Sequence, residues 1–285
     1  MPRAVAALYR RGGFLLFTAA GRAVVGLLAL AGLVAFAWVI AGRYGTPFVV
    51  ARRVGLGAIV FVAGRFLLVI CHELAHGLVA ESFGRPITRA GLKVALVFPY
   101  VFVDTTDAWF ESRPRRIAIS LAGPASDVTV GGLFALACLL LPRGSPRDVC
   151  FQVAFAGYVG ALFNLNPLLE RDGYHVLVDV LGQPGLRRRA ARRLAHGPAT
   201  GGEASSRGLL GYALASTLWS ALTVGFAVVL SLRYYHRLVA VAPPALVWTL
   251  LAALYVVLAL PVAVSLLRAV WRLGAAGGAP AQSRV

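Results

Sequence analysis

Two histidines and a glutamate lie close together in the otherwise apolar stretch VICHELAHGL, residues 69–78. His72 and His76 are four residues apart, so on a helix their side chains leave one face about one turn from each other. This spacing suits two imidazole ligands on one zinc ion, with Glu73 beside the metal as a general base. Ionisable groups are costly within a membrane-spanning segment, and a bound metal would compensate them. We therefore predict a metal site.

A zinc site of this kind requires a third protein ligand. The acidic candidates are Asp127 in the third apolar segment and Glu170, Asp172 and Asp179 at the end of the fourth, where His175 is a further histidine. We favour Asp172, because its segment and that of His72 are expected to run in the same direction and to reach comparable depths. The step from Asn166 to Pro167 should break the helix there and reduce the remaining difference in depth. Glu170 and His175 stay open as rivals.

The composition is that of a membrane protein. Of the 285 residues, 59% are hydrophobic and 14% are charged, whereas about 25% of a soluble domain is charged. Apolar runs long enough to cross a bilayer occur near residues 23–42, 54–80, 117–141, from 149 onward, 209–232 and 245–267. We predict an all-α polytopic membrane protein with about six transmembrane helices, of which the second contains the HExxH motif.

Residues 86–105, PITRAGLKVALVFPYVFVDT, follow the HExxH segment and are rich in Val, Phe and Tyr. The run is too short for another crossing, and its composition favours strands over a helix. We predict a small β-hairpin or sheet at the cytoplasmic edge of the membrane.

The formal net charge is +17, and the basic residues flank the apolar segments. Most of them fall on one side of the membrane if the N terminus is cytoplasmic, which predicts that both termini lie in the cytoplasm. The same distribution indicates anchoring to the lipid bilayer of the cell (inner) membrane. It argues against nucleic-acid binding, because no basic surface with interleaved aromatic residues occurs.

Three motifs on successive apolar segments resemble the site-2 protease family of intramembrane zinc metalloproteases. They are HELAH at 72–76, AGPASD at 122–127 and NPLLERDG at 166–173. The segment YVFVDTTDAW at 100–109 also resembles the bacterial peptide-zinc-metalloprotease-like branch. The resemblance covers about residues 54–180, and three motifs in this order are more specific than any one of them.

This resemblance implies a role for each matched residue. The Zn²⁺ ligands would be His72, His76 and Asp172. Glu73 would be the catalytic base, while Asn166 and Asp127 would bind the substrate or support the site. The strands near 86–105 would hold a substrate segment in an extended form by adding it to a sheet edge.

Two positions depart from the family pattern. Arg171 precedes the Asp-Gly pair where leucine is common, and Asp127 stands where asparagine is frequent. Arg171 could pair with Glu170, reach the interface, bind a substrate carboxylate or perturb the metal site. These departures leave open a non-proteolytic metal-binding membrane protein that assists peptide export, immunity or sensing. A transporter would use Arg65, Asp127 and Asp172 as an ion path, but no inverted repeat supports it.

We therefore expect an intramembrane zinc metalloendopeptidase acting on a transmembrane or membrane-associated peptide. The sequence indicates no particular oligomeric state. Its expected regions are an N-terminal helix with an outer loop (1–53), the metalloprotease core (54–181), an Arg-rich cytoplasmic linker (182–208) and a C-terminal helix pair with a tail (209–285).

Overall fold

The structure is a computed structural model that describes residues 2–42, 44–45, 47–95, 98–196, 203–240, 243–256 and 263. The chain divides into two compact units, Met1–Gly182 and Gln183–Val285. The predicted site residues all belong to the first unit.

The first unit is built mainly of α-helices. Within its described residues they are α1 (Pro2–Arg10), α2 (Ala19–Ala41), α3 (Val54–Ser82), α4 (Arg113–Leu140), α5 (Ser145–Leu165) and α6 (Asp172–Leu181). Local chemistry explains several ends. The Thr18 hydroxyl accepts a hydrogen bond from Gly21 N–H and caps the start of α2, as threonine often does. Helix α5 ends at Leu165, two residues before Pro167, which confirms the predicted break.

Four helices of this unit, α2 to α5, are long and apolar enough to cross a bilayer. Large apolar side chains on their outer faces are exposed, among them Leu27, Ile59 and Leu162, as expected for surfaces that face lipid. The interior is packed with small side chains. Ala35, Ala135 and Ala154 are buried together where α2, α4 and α5 meet, which allows close helix approach.

The predicted hairpin is present and follows α3. Strands β1 (Ala90–Ala95) and β2 (Phe98–Val103) pair antiparallel, with Ala90 opposite Val103. Asp104 N–H donates to the carbonyl of Arg89 over 2.8 Å. Since backbone groups alternate between the two edges of a strand, Val101 and Val103 direct theirs to the edge of β2 that β1 does not cover.

The second unit contains α7 (Leu186–His196), α8 (Glu203–Val239) and α9 (Pro244–Val256). Helix α8 is also long and apolar enough to cross a bilayer. With the four of the first unit it makes five such helices among the described residues, which indicates a multi-pass membrane protein. Helix α9 covers the first part of the sixth predicted span, and most of the rest lies outside the described residues.

Helix α7 lies in the segment that the sequence assigns to a linker. Leu186 and Ala190, four residues apart, are buried, whereas Arg188 and Arg192 are exposed. This is the pattern of an amphipathic helix. The arginine and glycine content of the segment predicts a linker. The helix was not predicted because, among those of its side chains that the structure describes, only two, Leu186 and Ala190, are apolar and buried.

Candidate metal centre

Three side chains from two distant parts of the chain converge at one point inside the first unit. His72 and His76 come from α3, and Asp172 is the first residue of α6. Asp172 Oδ2 lies 3.1 Å from His72 Nε2, and Asp172 Oδ1 lies 3.5 Å from His76 Nε2. The two Nε2 atoms are 3.2 Å apart. The ligating atoms of all three residues lie within 4.8 Å of one another, an arrangement that can hold a metal ion.

The other ring nitrogen of each histidine has a partner that determines the tautomer. His76 Nδ1 lies 2.6 Å from the carbonyl oxygen of Ile119, which can only accept, so Nδ1 donates. His72 Nδ1 lies 3.0 Å from Asp127 Oδ2, which places its proton on Nδ1 in the same way. Both Nε2 atoms lie on the Asp172 side of their rings, and a carboxylate or carbonyl behind a ligating histidine is the usual support of a metal site.

The backbone opposite these atoms leaves room for an ion. A Cβ atom at Gly123 on α4 would clash with His72 Nε2 and lie 2.5 Å from His76 Nε2. Only glycine is compatible with this close approach. Two imidazole nitrogens and one carboxylate are a donor set that zinc accepts, with a fourth position left for water or substrate. The residues present thus fit a catalytic zinc ion.

The loop between α5 and α6 brings Asp172 to this point. Asn166 Oδ1 accepts a hydrogen bond from Leu168 N–H over 2.9 Å, a turn that asparagine side chains stabilise. The carbonyl of Arg171 then accepts from Tyr174 N–H over 3.0 Å and begins α6. A carboxylate in the first turn is favoured by the helix dipole, and here it is the carboxylate of Asp172.

Glu73 points toward the hairpin. Its Oε2 accepts a hydrogen bond of 2.9 Å from the backbone N–H of Val103, the last residue of β2. That N–H belongs to the uncovered edge of the strand, so the glutamate lies where the sheet edge and the metal ligands meet.

A cavity of about 370 Å³ adjoins the cluster. Glu73, His76 and Asp172 line one part of it, and Val103 lies at the hairpin side. The remaining lining is mostly polar: Asp104, Thr105, Thr106, Arg116, Ser120, His175 and Asp179, with Ala108, Trp109, Ile119 and Val178. A polar cavity of this kind can admit water and a peptide backbone.

Ion pairs tie together the elements around this cavity. Arg116 Nη2 lies 2.6 Å from Asp179 Oδ1 and so joins α4 to α6. Glu111 receives Arg85 Nε at 2.6 Å and Arg115 Nη1 at 2.9 Å. These hydrogen bonds, that from Arg85 first, hold the pKa of Glu111 below its usual range.

The predicted site residues are not all brought together. Asp172 joins the two histidines, whereas Glu170 is exposed and His175 lines the cavity. The described residues give one three-ligand cluster, and neither rival belongs to it. Asn166 shapes the loop through its side chain, so a role in substrate binding stays a prediction for it. The side chain of Arg171 is exposed.

Asp127 lies behind His72 rather than in the cluster. Its side chain is fully buried, and Oδ1 lies 3.3 Å from Arg65 Nη1. Asn164 Nδ2 donates to Oδ2 over 3.3 Å. Asn164 is absent from the residues predicted from the sequence, although an amide within an apolar span is a signal of a polar contact there.

Sequence comparison finds bacterial relatives. Over 125 residues, 43% of the chain and 48% of the relative, it is 26% identical to the "Putative peptide zinc metalloprotease protein YydH" of Bacillus subtilis. Over 202 residues, 60% of the chain and 72% of the relative, it is 29% identical to the "Putative zinc metalloprotease Rip2" of Mycobacterium tuberculosis. The chain is thus similar to two proteins that are named as putative zinc metalloproteases, which confirms the predicted resemblance.

The match to the YydH protein spans about half of that protein's length. No protein-family model matches the chain, and no solved structure matches it significantly. The function is therefore inferred from the geometry of the three ligating side chains together with the names of these two relatives.

Proposed function

We propose that the chain is an intramembrane zinc metalloendopeptidase that hydrolyses a peptide bond in a membrane-embedded or membrane-associated substrate. The observation that carries this proposal is the convergence of two Nε2 atoms and one carboxylate beside Glu73, at a polar cavity among helices of membrane-crossing length. The names of the two relatives support the reaction class.

Three side chains would hold the zinc ion: His72, His76 and Asp172. The bound zinc would supply Lewis acidity, which polarises a peptide carbonyl and lowers the pKa of a coordinated water toward 7. Other groups of the chain hold these ligands in place. Asp127 and the carbonyl of Ile119 keep the two imidazole rings oriented with Nε2 toward the site.

Glu73 would act as the general base and then as the general acid. Its carboxylate would accept the proton of the attacking water and pass it to the amine that leaves. The hydrogen bond from Val103 N–H occupies one carboxylate oxygen. The other oxygen is left for the water.

The uncovered edge of β2 would bind the substrate backbone. Val101 and Val103 direct their backbone groups to this edge, and the Val103 end meets Glu73. A peptide that adds to the edge as a strand is held extended. Hydrolysis requires this, because a carbonyl inside a helix is already hydrogen-bonded and shielded. A transmembrane substrate would have to unwind locally before it reaches the site.

The distribution of basic residues supports an orientation with both termini in the cytoplasm. In that orientation the hairpin and the cavity lie at the cytoplasmic end of α3, where water is available. We propose the cell (inner) membrane as the location.

The test is to purify the full chain, measure bound zinc and compare it with Glu73→Gln on a co-expressed panel of membrane peptides. We expect both proteins to bind zinc and only the unchanged protein to cleave a panel member. Equal cleavage by both would refute the role of Glu73. Zinc binding without cleavage of any panel member by the unchanged protein would favour the non-proteolytic alternative.

A further inference from the structure

Arg65 and His72 lie on the same side of α3, seven residues and about two turns apart. Asp127 of α4 spans the distance between them. One carboxylate oxygen, Oδ1, lies 3.3 Å from Arg65 Nη1, and the other, Oδ2, lies 3.0 Å from His72 Nδ1. The carboxylate thus links an arginine in the bilayer-crossing helix to the ring of a proposed zinc ligand.

The neighbouring helix α5 has a recess that accommodates the guanidinium. A Cβ atom at Gly160 would clash with Arg65 Nη1 and lie 2.7 Å from its Cζ. In this position the guanidinium of Arg65 occupies space between α3 and α5 that a side chain at residue 160 would take. Four residues further along α5, Asn164 donates to Asp127 Oδ2, so the carboxylate is held from both neighbouring helices.

The charges also require this pairing. The side chain of Asp127 is 0% exposed and that of Arg65 is 28% exposed. An anion buried in a membrane-spanning bundle is expensive unless a cation and hydrogen-bond donors compensate it. Arg65 supplies a positive charge in direct contact with this carboxylate.

We propose that Arg65 is a positioning residue of the metal centre, acting through Asp127. By holding Oδ1, it keeps Oδ2 against His72 Nδ1 and so directs His72 Nε2 toward the zinc position. This inference rests on the proposed metal centre and adds a residue that touches neither zinc nor substrate.

The direction in which zinc affinity changes when Arg65 is replaced distinguishes a positioning role from simple charge repulsion. An arginine near a dication repels it, so removal of the positive charge alone would strengthen zinc binding. Loss of a positioning contact would weaken it, and outer partners of ligating histidines typically change metal affinity by about 10- to 100-fold. The two explanations predict opposite changes.

The experiment measures zinc affinity of the detergent-solubilised full chain by competition with a chromophoric chelator. We expect Arg65→Met to weaken zinc binding about tenfold or more. In an Asp127→Asn background, whose amide oxygen can still accept from His72 Nδ1, the same change should have much less effect. Such coupling in a double-mutant cycle is the signature of action through Asp127.

One further variant, with its own control, keeps the proposal testable if Arg65→Met folds poorly. Gly160→Ala removes the recess without changing any charge and should also weaken zinc binding. Its matched control is Gly26→Ala on α2, where a new Cβ meets no atom within 4 Å and zinc affinity should stay unchanged. Arg65→Lys, which keeps the charge, should retain more affinity than Arg65→Met.

Unchanged or stronger zinc binding by Arg65→Met would overturn the proposal, and where that variant does not fold, the same result from Gly160→Ala would overturn it. An equal loss from Arg65→Met in the unchanged background and in the Asp127→Asn background would overturn it too. Failure of the metal centre itself looks different, because the unchanged protein would then bind no zinc at this site.

Discussion

The carboxylate of Glu73 and the backbone amide of Val103 are joined by a hydrogen bond of 2.9 Å. The proposed base is thereby held by the edge of the hairpin and not only by its own helix. Since the same edge would receive the substrate, the position of the base and the binding of the peptide depend on one strand.

Val103→Pro tests this relationship directly. Proline has no N–H and so removes the hydrogen bond that Glu73 accepts from residue 103. It is tolerated at an edge position whose N–H makes no hydrogen bond to the neighbouring strand. Pro99 already occupies a position of the same parity in β2. We expect kcat to fall by about tenfold or more, on the order of one lost charged hydrogen bond, with bound zinc unchanged.

Val101→Pro is the matched control for that experiment. Its N–H also faces the uncovered edge, but it lies two residues from the contact with Glu73. We expect it to affect KM, through substrate pairing, more than kcat. The same kcat loss from both variants would mean that the Glu73 contact has no special role.

Gly123→Ala should abolish zinc binding. The new methyl group would clash with the Nε2 atoms of both histidines, in the space that an ion needs. Because a Cβ atom is attached directly to the backbone of α4, it cannot rotate away. Metal analysis of the purified variant checks this, with Gly26→Ala as the control in open space. A Gly123→Ala protein with normal zinc content would place the ion elsewhere.

The three side chains that converge in the structure are those that the sequence favours as ligands: His72, His76 and Asp172. The spacing of His72 and His76 identifies one helix face, and the topology of the apolar segments favours Asp172 over Glu170. The partners of these residues could not be predicted in the same way. Val103 contributes a backbone amide and Ile119 a backbone carbonyl, and such contacts depend on how distant elements pack rather than on residue type.

The fold was predictable to a similar extent and for similar reasons. Long apolar runs give the membrane-crossing helices, and the content of Val, Phe and Tyr gives the hairpin. Helix α7 was not predicted, because its two buried positions, Leu186 and Ala190, are too few to stand out among five arginines. The sequence shows an arginine, Arg65, within an apolar span, but its contact with Asp127 depends on which helices pack against each other.

Asp172→Ala should remove most of the bound zinc, whereas Glu170→Ala should not. Asp172 supplies the carboxylate nearest both Nε2 atoms, and Glu170 is exposed on the loop. Zinc content and chelator competition on the two purified variants compare them directly. A loss from Glu170→Ala alone would show that the loop has a different conformation in the protein with zinc.

Glu111 should stabilise the protein at neutral pH and not in acid. Its pKa in the folded chain is lowered, first by the hydrogen bond from Arg85 and then by that from Arg115, below an unfolded value of about 4.3. A lowered pKa gives stabilisation that is complete above the unfolded value and is lost as the pH falls through the folded one. Glu111→Gln should therefore lower Tm at about pH 7. The difference from the unchanged protein should shrink once the pH falls below the unfolded value, and it should disappear as the pH falls through the lowered pKa of the folded chain.

Thermal unfolding of both proteins across this pH range is the measurement. Zinc-free samples are required, because protonation of histidine ligands releases the metal from either protein. Glu170→Gln, which changes an exposed carboxylate in the same way, should give a much smaller difference at neutral pH. A Tm difference for Glu111→Gln that stays constant or grows as the pH falls would mean that the contacts with Arg85 and Arg115 do not lower the pKa of Glu111.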